Sequence, residues 1–386
     1  MTRTFVAAAV ALLGAAPLAR AERPALRFDT LQLVGERYLA STDDGEPVEL
    51  TLDPRMQDAA DGVLKAFHVP YGGAVVLSVA DGRVLALVGR SAADQQLGAE
   101  ELALRPWAPA ASVFKVVSAA ALVEGGLSGA TRTCYHGGTS SILPDNLLDL
   151  PLLDRRCDTL AYGLGKSQNA ILAKLAARHL TAGDLSRTGH DFGFDREIPF
   201  ELPVEPSHLD VPTDALEFAR TAAGFWHSTL SPLHGALLAA TIASGGRMPA
   251  PTLVAHGVPA AGARRVMARA AAREVGRMME LTTRIGTARG AFHDRRGRRV
   301  LGCDVAGKTG TLSAITDHGF VGYSWFIGYA PADHPQIAFA VALGNNPGWR
   351  IKASYVARRI VAEYLAEKGE SPAPSSAGGH HLLAAR

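Results

Sequence analysis

Strand-forming sequence lies at both ends of this chain, with a long helical stretch between. Near the front, "GAVVLSV" and "RVLALVG" flank Ala80-Asp81-Gly82. Asp-Gly between two apolar runs signals a β-hairpin. Ahead of it, "VELTLDPRMQDAADGVLKAF" reads as a strand, a turn at Asp53-Pro54 and an amphipathic helix. Residues 107–285 are mostly helical with loops. Three more strand candidates follow: "VLGCDVAGKTGT", "FVGYSWFIGYAP" and "QIAFAVALGNN". A last helix covers Lys352 to Leu365. Strands so far apart in sequence and so apolar must meet, so the order predicts one antiparallel sheet made from both ends of the chain, with helices on its faces. The fold class is α/β of the α+β type: a five-stranded antiparallel sheet flanked by helices, with a largely helical block. With 386 residues, 47% of them hydrophobic, there is enough apolar material for a sizeable core. No internal repeat is visible.

The chain opens "MTRTFVAAAVALLGAAPLARAE". One basic residue, an apolar run from Phe5 to Ala19 and an A-x-A site at Ala19-Arg20-Ala21 make the layout of a secretory signal peptide. Residues 1–21 are expected to be cleaved, because the apolar run is shorter than the roughly 20 residues of a spanning helix. The alternative is an uncleaved membrane anchor. Residues 22–49 then form a short lead, 50–367 the main domain, and 368–386 a disordered tail. The tail is small, polar and broken; weak metal binding at its His380-His381 is less expected than plain solvation. Export places the protein in the periplasm or cell envelope, where disulfides persist. Of the three cysteines, Cys134 and Cys157 share one loop-rich stretch and are expected to pair. Cys303 sits in a strand-like run, outside the bridge. The net charge of +2 gives no bulk attraction to nucleic acid. The basic cluster Arg295-Arg296-Gly297-Arg298-Arg299 reads as a solvated hairpin tip.

The segment "GCDVAGKT", residues 302–309, fits the phosphate-loop pattern G-x-x-x-x-G-K-[ST]. Such a loop must open a helix, so that backbone N–H groups meet the phosphates. Here "TGTLSAITDHG" follows the lysine, full of β-branched and helix-breaking residues. The nucleotide reading fails on that context and on the export signal. No cofactor is expected: H-E-x-x-H, C-x-x-C and a complete G-x-S-x-G are all missing.

The same lysine belongs to a different set. "APAASVFKVVSAAALVEGG" carries Ser112-Val113-Phe114-Lys115 at the start of a helix apolar nearly all round. Three residues apart, Ser112 and Lys115 share a face. A serine hydroxyl needs a neighbour to take its proton, and a lysine can do so only if burial or a second cation lowers its pKa. "YGLGKSQNAILAKLAARHL" carries Ser167-Gln168-Asn169 in a turn before an amphipathic helix; Ser167 suits proton relay and Asn169 suits a substrate amide. Lys308-Thr309-Gly310-Thr311 lies on a strand, where Lys308 and the two hydroxyls suit a substrate carboxylate and Gly310 allows close approach. The N–H of Thr311 is a candidate oxyanion donor. Alone, each motif also fits a bland role: a capping serine, an N-cap, a polar strand end. Their order, S-x-x-K then S-x-N then K-T-G, is what carries chemistry.

With these motifs, residues 50–367 resemble the transpeptidase domain of penicillin-binding proteins. "TLDPRMQDAA", "TAAGFWHSTLSPLHGALLAATIASGGRMPAPTLV", "RIGTARGAF" and "WFIGYAP" extend the likeness. The resemblance implies a β-lactamase/transpeptidase-like fold with the site between sheet and helical block. It implies that Ser112 attacks the D-Ala-D-Ala end of a peptidoglycan stem peptide with Lys115 as general base, that Ser167, Asn169 and Lys308 manage protons and charge, and that Thr309, Gly310 and Thr311 bind substrate. β-Lactam antibiotics are implied as covalent inhibitors. The short lead differs from the long N-terminal parts of large cross-linking enzymes. It leaves room for a D,D-carboxypeptidase, for a class D-like serine β-lactamase, or for a low-turnover penicillin-sensing or scaffolding module. Glu197, Glu201 and Glu205 in "FGFDREIPFELPVEPSHLD" match no deacylation signature and read as surface loop.

Overall fold

The computed structural model describes residues 25–257, 262–316, 319–348 and 351–369. The leader and all but the first two residues of the tail lie outside this range. From the N-terminus come β1 (Leu26–Val34), β2 (Arg37–Thr42) and β3 (Pro47–Glu49), then α1 (Pro54–Ala66), β4 (Tyr71–Ser78) and β5 (Val84–Arg90). Asp53 caps α1: its carboxylate accepts from the N–H groups of Arg55 and Met56, and Pro54 opens the helix. The segment read as a lead is more ordered than expected. β1, β2 and β3 form an antiparallel three-stranded sheet, and Leu26, Tyr38 and Ala40 bury into the main core. Polar and apolar residues mix along this meander, so its alternation is faint; only Leu26, Tyr38 and Ala40 are buried along β1 and β2.

The helical block contains α2 (Ala99–Leu104), β6 (Ala108–Pro109), a 3₁₀ turn (Ala111–Phe114), α3 (Lys115–Glu124), β7 (Arg132–Tyr135), β8 (Arg156–Thr159), α4 (Leu160–Gly165), α5 (Asn169–His179), α6 (Ala182–Asp191), α7 (Ala215–Ala222), β9 (Thr229–Leu230), α8 (Pro232–Ala243), β10 (Arg247–Met248), β11 (Arg264–Arg265), α9 (Arg269–Arg284) and α10 (Arg289–Phe292). The chain closes with β12 (Ala306–Thr316), β13 (Gly319–Ala330), β14 (Ile337–Asn345) and α11 (Ala353–Glu367).

The main sheet has the order β12-β13-β14-β4-β5, antiparallel throughout. β14 sits at its centre and shows how the two faces differ. Ala338, Ala340 and Ala342 point to one core, Ile337, Phe339, Val341 and Leu343 to the other. The alanines let α8, buried on all sides, pack close to the sheet: a Cβ on Gly235 would lie 3.1 Å from the Ala340 methyl. The larger residues fill the space beneath α1 and α11. β12 is an edge strand, so one side of its backbone is open to a ligand.

Two expectations need correction. The strand predicted from Val300 begins only at Ala306, because the residues from Val300 to Cys303 form bends. Cys303 therefore lies before the strand, packed against the core under α11. The basic cluster does cap a hairpin: His293 bridges Arg299, and the Asp294 carboxylate accepts from the N–H groups of Arg296 and Arg298.

Candidate active site

Ser112 was expected in the first turn of an α-helix. It sits instead in the 3₁₀ turn that leads into α3, and Ala111 before it has a left-handed backbone, φ +49°. This sharp entry is held from two sides. The Trp325 indole N–H on β13 donates to the Pro109 carbonyl at 2.9 Å. β12 crosses against the same segment at Gly310, where a Cβ would lie 3.2 Å from Val113 and 3.3 Å from the Ala110 carbonyl oxygen. A side chain at Gly310 would press on Val113, Trp325 and the Ala110 carbonyl, which would have to give way.

Lys115 opens α3 and is fully buried. Its Nζ lies 2.7 Å from Ser112 Oγ, 2.7 Å from Asn169 Oδ1 and 2.6 Å from the Ala223 carbonyl oxygen. The last two are acceptors only; the first is a hydroxyl that can also donate. A neutral amine therefore fits this corner completely: two N–H groups go to Asn169 and Ala223, and the lone pair faces the Ser112 hydroxyl. Burial, and then the positive charge of Lys308, push Lys115 well below its ordinary 10.5. Ala223 can come this close because Gly224, at φ +78°, has no Cβ; one would lie 2.4 Å from the Ala111 carbonyl oxygen.

Ser167 does not cap the helix after it. Gln168 is the N-cap of α5, and Ser167 has a left-handed backbone, φ +56°. That turn leaves its hydroxyl for Lys308, whose Nζ donates to Ser167 Oγ at 2.9 Å and to the Thr309 carbonyl at 2.8 Å. Lys308 is fully buried on β12, and burial brings it down to about 7. Asn169 was expected to hold a substrate amide. Both ends of its own amide are already engaged: Oδ1 by Lys115, and Nδ2 by the Thr139 carbonyl at 2.8 Å. Its side chain thus serves the base, and its second Nδ2–H is left for a substrate amide.

The structure thus brings Ser112, Lys115, Ser167, Asn169 and Lys308 into one polar cluster, with the two lysines and Asn169 buried and the two serines partly open. Thr309 and Thr311 alternate with Lys308 and Gly310 along β12, more open to solvent. The Thr309 hydroxyl meets that of Thr287 at 2.5 Å. Thr287, Gly224 and the carbonyls of Thr139 and Ala223 escape sequence reasoning. "RIGTARGAF" and "TAAGFW" contain three of them, Thr287, Ala223 and Gly224, but a backbone acceptor has no residue signature. Among the described residues, none of the three glutamates bonds to this cluster. Glu201 accepts from Thr252 Oγ1 and the Leu253 N–H, Glu205 pairs with Arg105, and Glu197 is exposed. The expected disulfide joins Cys134 and Cys157 across β7 and β8. Among the described residues no cluster of three His, Cys, Asp or Glu could hold a metal ion.

The model of the penicillin binding protein transpeptidase domain matches residues 72–366. Peptidoglycan D,D-transpeptidase PbpA of Mycobacterium tuberculosis is 28% identical over 376 residues, covering 85% of this chain and 74% of the relative. The crystal structure of PBPA from Mycobacterium tuberculosis superposes with a TM-score of 0.67 at 24% identity, over 82% of this chain and 80% of that one. The imipenem acyl-enzyme complex of that same protein matches equally well, with a TM-score of 0.67 at 24% identity over 82% and 79% of the two chains.

Proposed function

The chain belongs to the penicillin-binding protein transpeptidase family, and from that premise we propose how its residues carry the reaction. It is a serine-type D,D-transpeptidase that acts on D-Ala-D-Ala stem peptides in peptidoglycan synthesis. The observation that carries the reading is the Lys115 corner, where a neutral amine faces the Ser112 hydroxyl and has acceptors for both of its protons.

Lys115 Nζ takes the Ser112 proton as Oγ attacks the carbonyl carbon of the penultimate D-Ala. The carbonyl π-electrons move to oxygen, where the N–H groups of Ser112 and Thr311 stabilise the oxyanion. Collapse breaks the C–N bond; the terminal D-Ala leaves as an amine, taking up a proton through Ser167, which Lys308 keeps in place. Lys308, Thr309 and Thr311 hold the leaving residue's carboxylate. An acceptor amine then attacks the Ser112 ester, loses a proton to the same base, and releases the serine. β-Lactams enter by the same attack on a strained amide whose leaving nitrogen stays tethered. Residues 1–21 act as a cleaved export signal that delivers the enzyme to the periplasm. No described helix is long and apolar enough to cross a membrane.

Fluorescent penicillin should label the protein covalently, and Ser112→Ala should abolish labelling. Mixing with a D-Ala-D-Ala peptide and an amine should give the cross-linked product and free D-Ala. With Glu201 held by Thr252 and Leu253, Glu205 paired with Arg105 and Glu197 exposed, none of the three is in place as a deacylating base, and the penicilloyl ester should persist for minutes in intact-mass spectra. Labelling that survives Ser112→Ala assigns another nucleophile; rapid penicillin turnover without an adduct assigns a β-lactamase.

A further inference from the structure

A second buried polar cluster lies behind the first, on the loop closed by the Cys134–Cys157 disulfide. Lys174 on α5 is fully buried. Its Nζ donates to Asp154 Oδ2 at 2.6 Å and to the Cys134 carbonyl at 2.9 Å, and lies 3.1 Å from the more exposed Asp149. Asp154, also buried, meets His136 Nδ1 at 2.5 Å and accepts from the Leu150 N–H. None of these residues touches Ser112, Lys115 or Lys308. A well-packed apolar group in place of such a pair is often as stable, so stability alone does not account for it.

Its position does. Lys174 lies five residues along α5 from Asn169. From His136, the chain runs through Thr139, whose carbonyl accepts from Asn169 Nδ2, to Ile142, whose carbonyl accepts from the Arg220 guanidinium at 2.8 Å. The His136 carbonyl itself accepts from Asn146 Nδ2, and Asn146 Oδ1 accepts from the Leu143 N–H. The cluster therefore ties α5, which carries Asn169, to the loop that supplies the carbonyl defining which way the Asn169 amide points. That orientation matters because an amide is two-faced. Only with Nδ2 on Thr139 does Oδ1 face Lys115. Rotated by half a turn, Asn169 would present N–H groups to the base and compete for its lone pair.

We propose that Lys174, Asp154 and His136 are positioning residues of the acylation step, acting through Thr139 and Asn169 on Lys115. This rests on the assignment of Ser112 and Lys115 above. The test is a double-mutant cycle on penicillin acylation of the mature protein, followed by mass spectrometry so that slow variants remain measurable. Wild-type acylation with loss in Ser112→Ala secures the assignment independently. Asp154→Asn should then lower the maximal acylation rate constant about tenfold, with the dissociation constant of the preceding complex changed less than about twofold. In an Asn169→Ala background the same substitution should cost less than about twofold, because the route through Asn169 is already cut. If Asp154→Asn alone does not fold, Lys174→Met/Asp154→Asn removes both charges and enters the same cycle. An equal loss with and without Asn169, or a folded variant acylated at the wild-type rate, overturns the proposal.

Discussion

Lys115 and Lys174 are equally enclosed, each with no exposed surface, yet their surroundings are opposite. Around Lys115 are a hydroxyl, an amide oxygen and a carbonyl, with another lysine nearby and no carboxylate in contact. Around Lys174 are two carboxylates and a carbonyl. Burial makes an uncompensated ammonium costly, so Lys115 and Lys308 shed their charge readily. A carboxylate partner removes that pressure and turns the lysine into a tie. The Asp154 side of the tie shows it: burial alone would raise its pKa, but the hydrogen bonds from His136 and Lys174 outweigh that and hold it at about 2. Burial alone therefore does not mark a lysine as a base; the absence of a counter-ion does.

The largest effect expected from this contrast is on rate. Lys115→Met should slow penicillin acylation by about 10²- to 10⁴-fold, the usual worth of a positioned base. It should lower the melting temperature only modestly: a buried ionisable group with no counter-ion is removed, while Asn169 Oδ1 and the Ala223 carbonyl each lose a donor. A marked loss of stability would mean that Lys115 is a structural tie after all. Lys174→Met should show the opposite balance: a large loss of stability, with only the smaller, indirect slowing of acylation that follows from disturbing Asn169. Leaving Asp154 buried without its partner should cost about 3–5 kcal/mol of unfolding free energy by urea titration. A loss below about 1 kcal/mol would place the two lysines in one class.

The smallest effect is in the pH dependence of stability. Lys308 releases its proton near pH 7 in the folded chain and near 10.5 once exposed. Between those values the unfolded chain holds the extra proton, so stability rises with pH across the window. The slope contributed is at most about 1.4 kcal/mol per pH unit. Urea midpoints at pH 7 and pH 9 should differ in this direction for the wild type. The difference should shrink in Lys308→Met; an unchanged slope would show that Lys308 does not cause it.

The same contrast explains what could be read from the sequence. Ser112, Lys115, Ser167, Asn169 and Lys308 sit in motifs whose spacing reflects helix and strand geometry, so their grouping is legible. The sheet is legible too, because apolar runs such as "QIAFAVALGNN" have no other place to go. Lys174 is not. In "NAILAKLAARHL" it looks like any lysine on an amphipathic helix, and its partner Asp154 lies across a loop whose path no local pattern dictates. The Thr139 and Ala223 carbonyls are invisible for a simpler reason: every residue has one. The N-terminal three-stranded sheet leaves little trace because most of its residues stay at least partly solvated, so no apolar alternation marks it.

The central pairing of the sheet joins β4 to β14, with Ala74 opposite Val341. This is a contact of very high sequence separation, and such contacts form slowly because a long loop must close first. The nucleophile's helix is complete early in the chain, whereas Lys308 and the strand behind it come late. During synthesis and refolding, Ser112 therefore exists long before its chemistry does. Covalent penicillin labelling then reports more than activity: it counts the chains whose two ends have found each other.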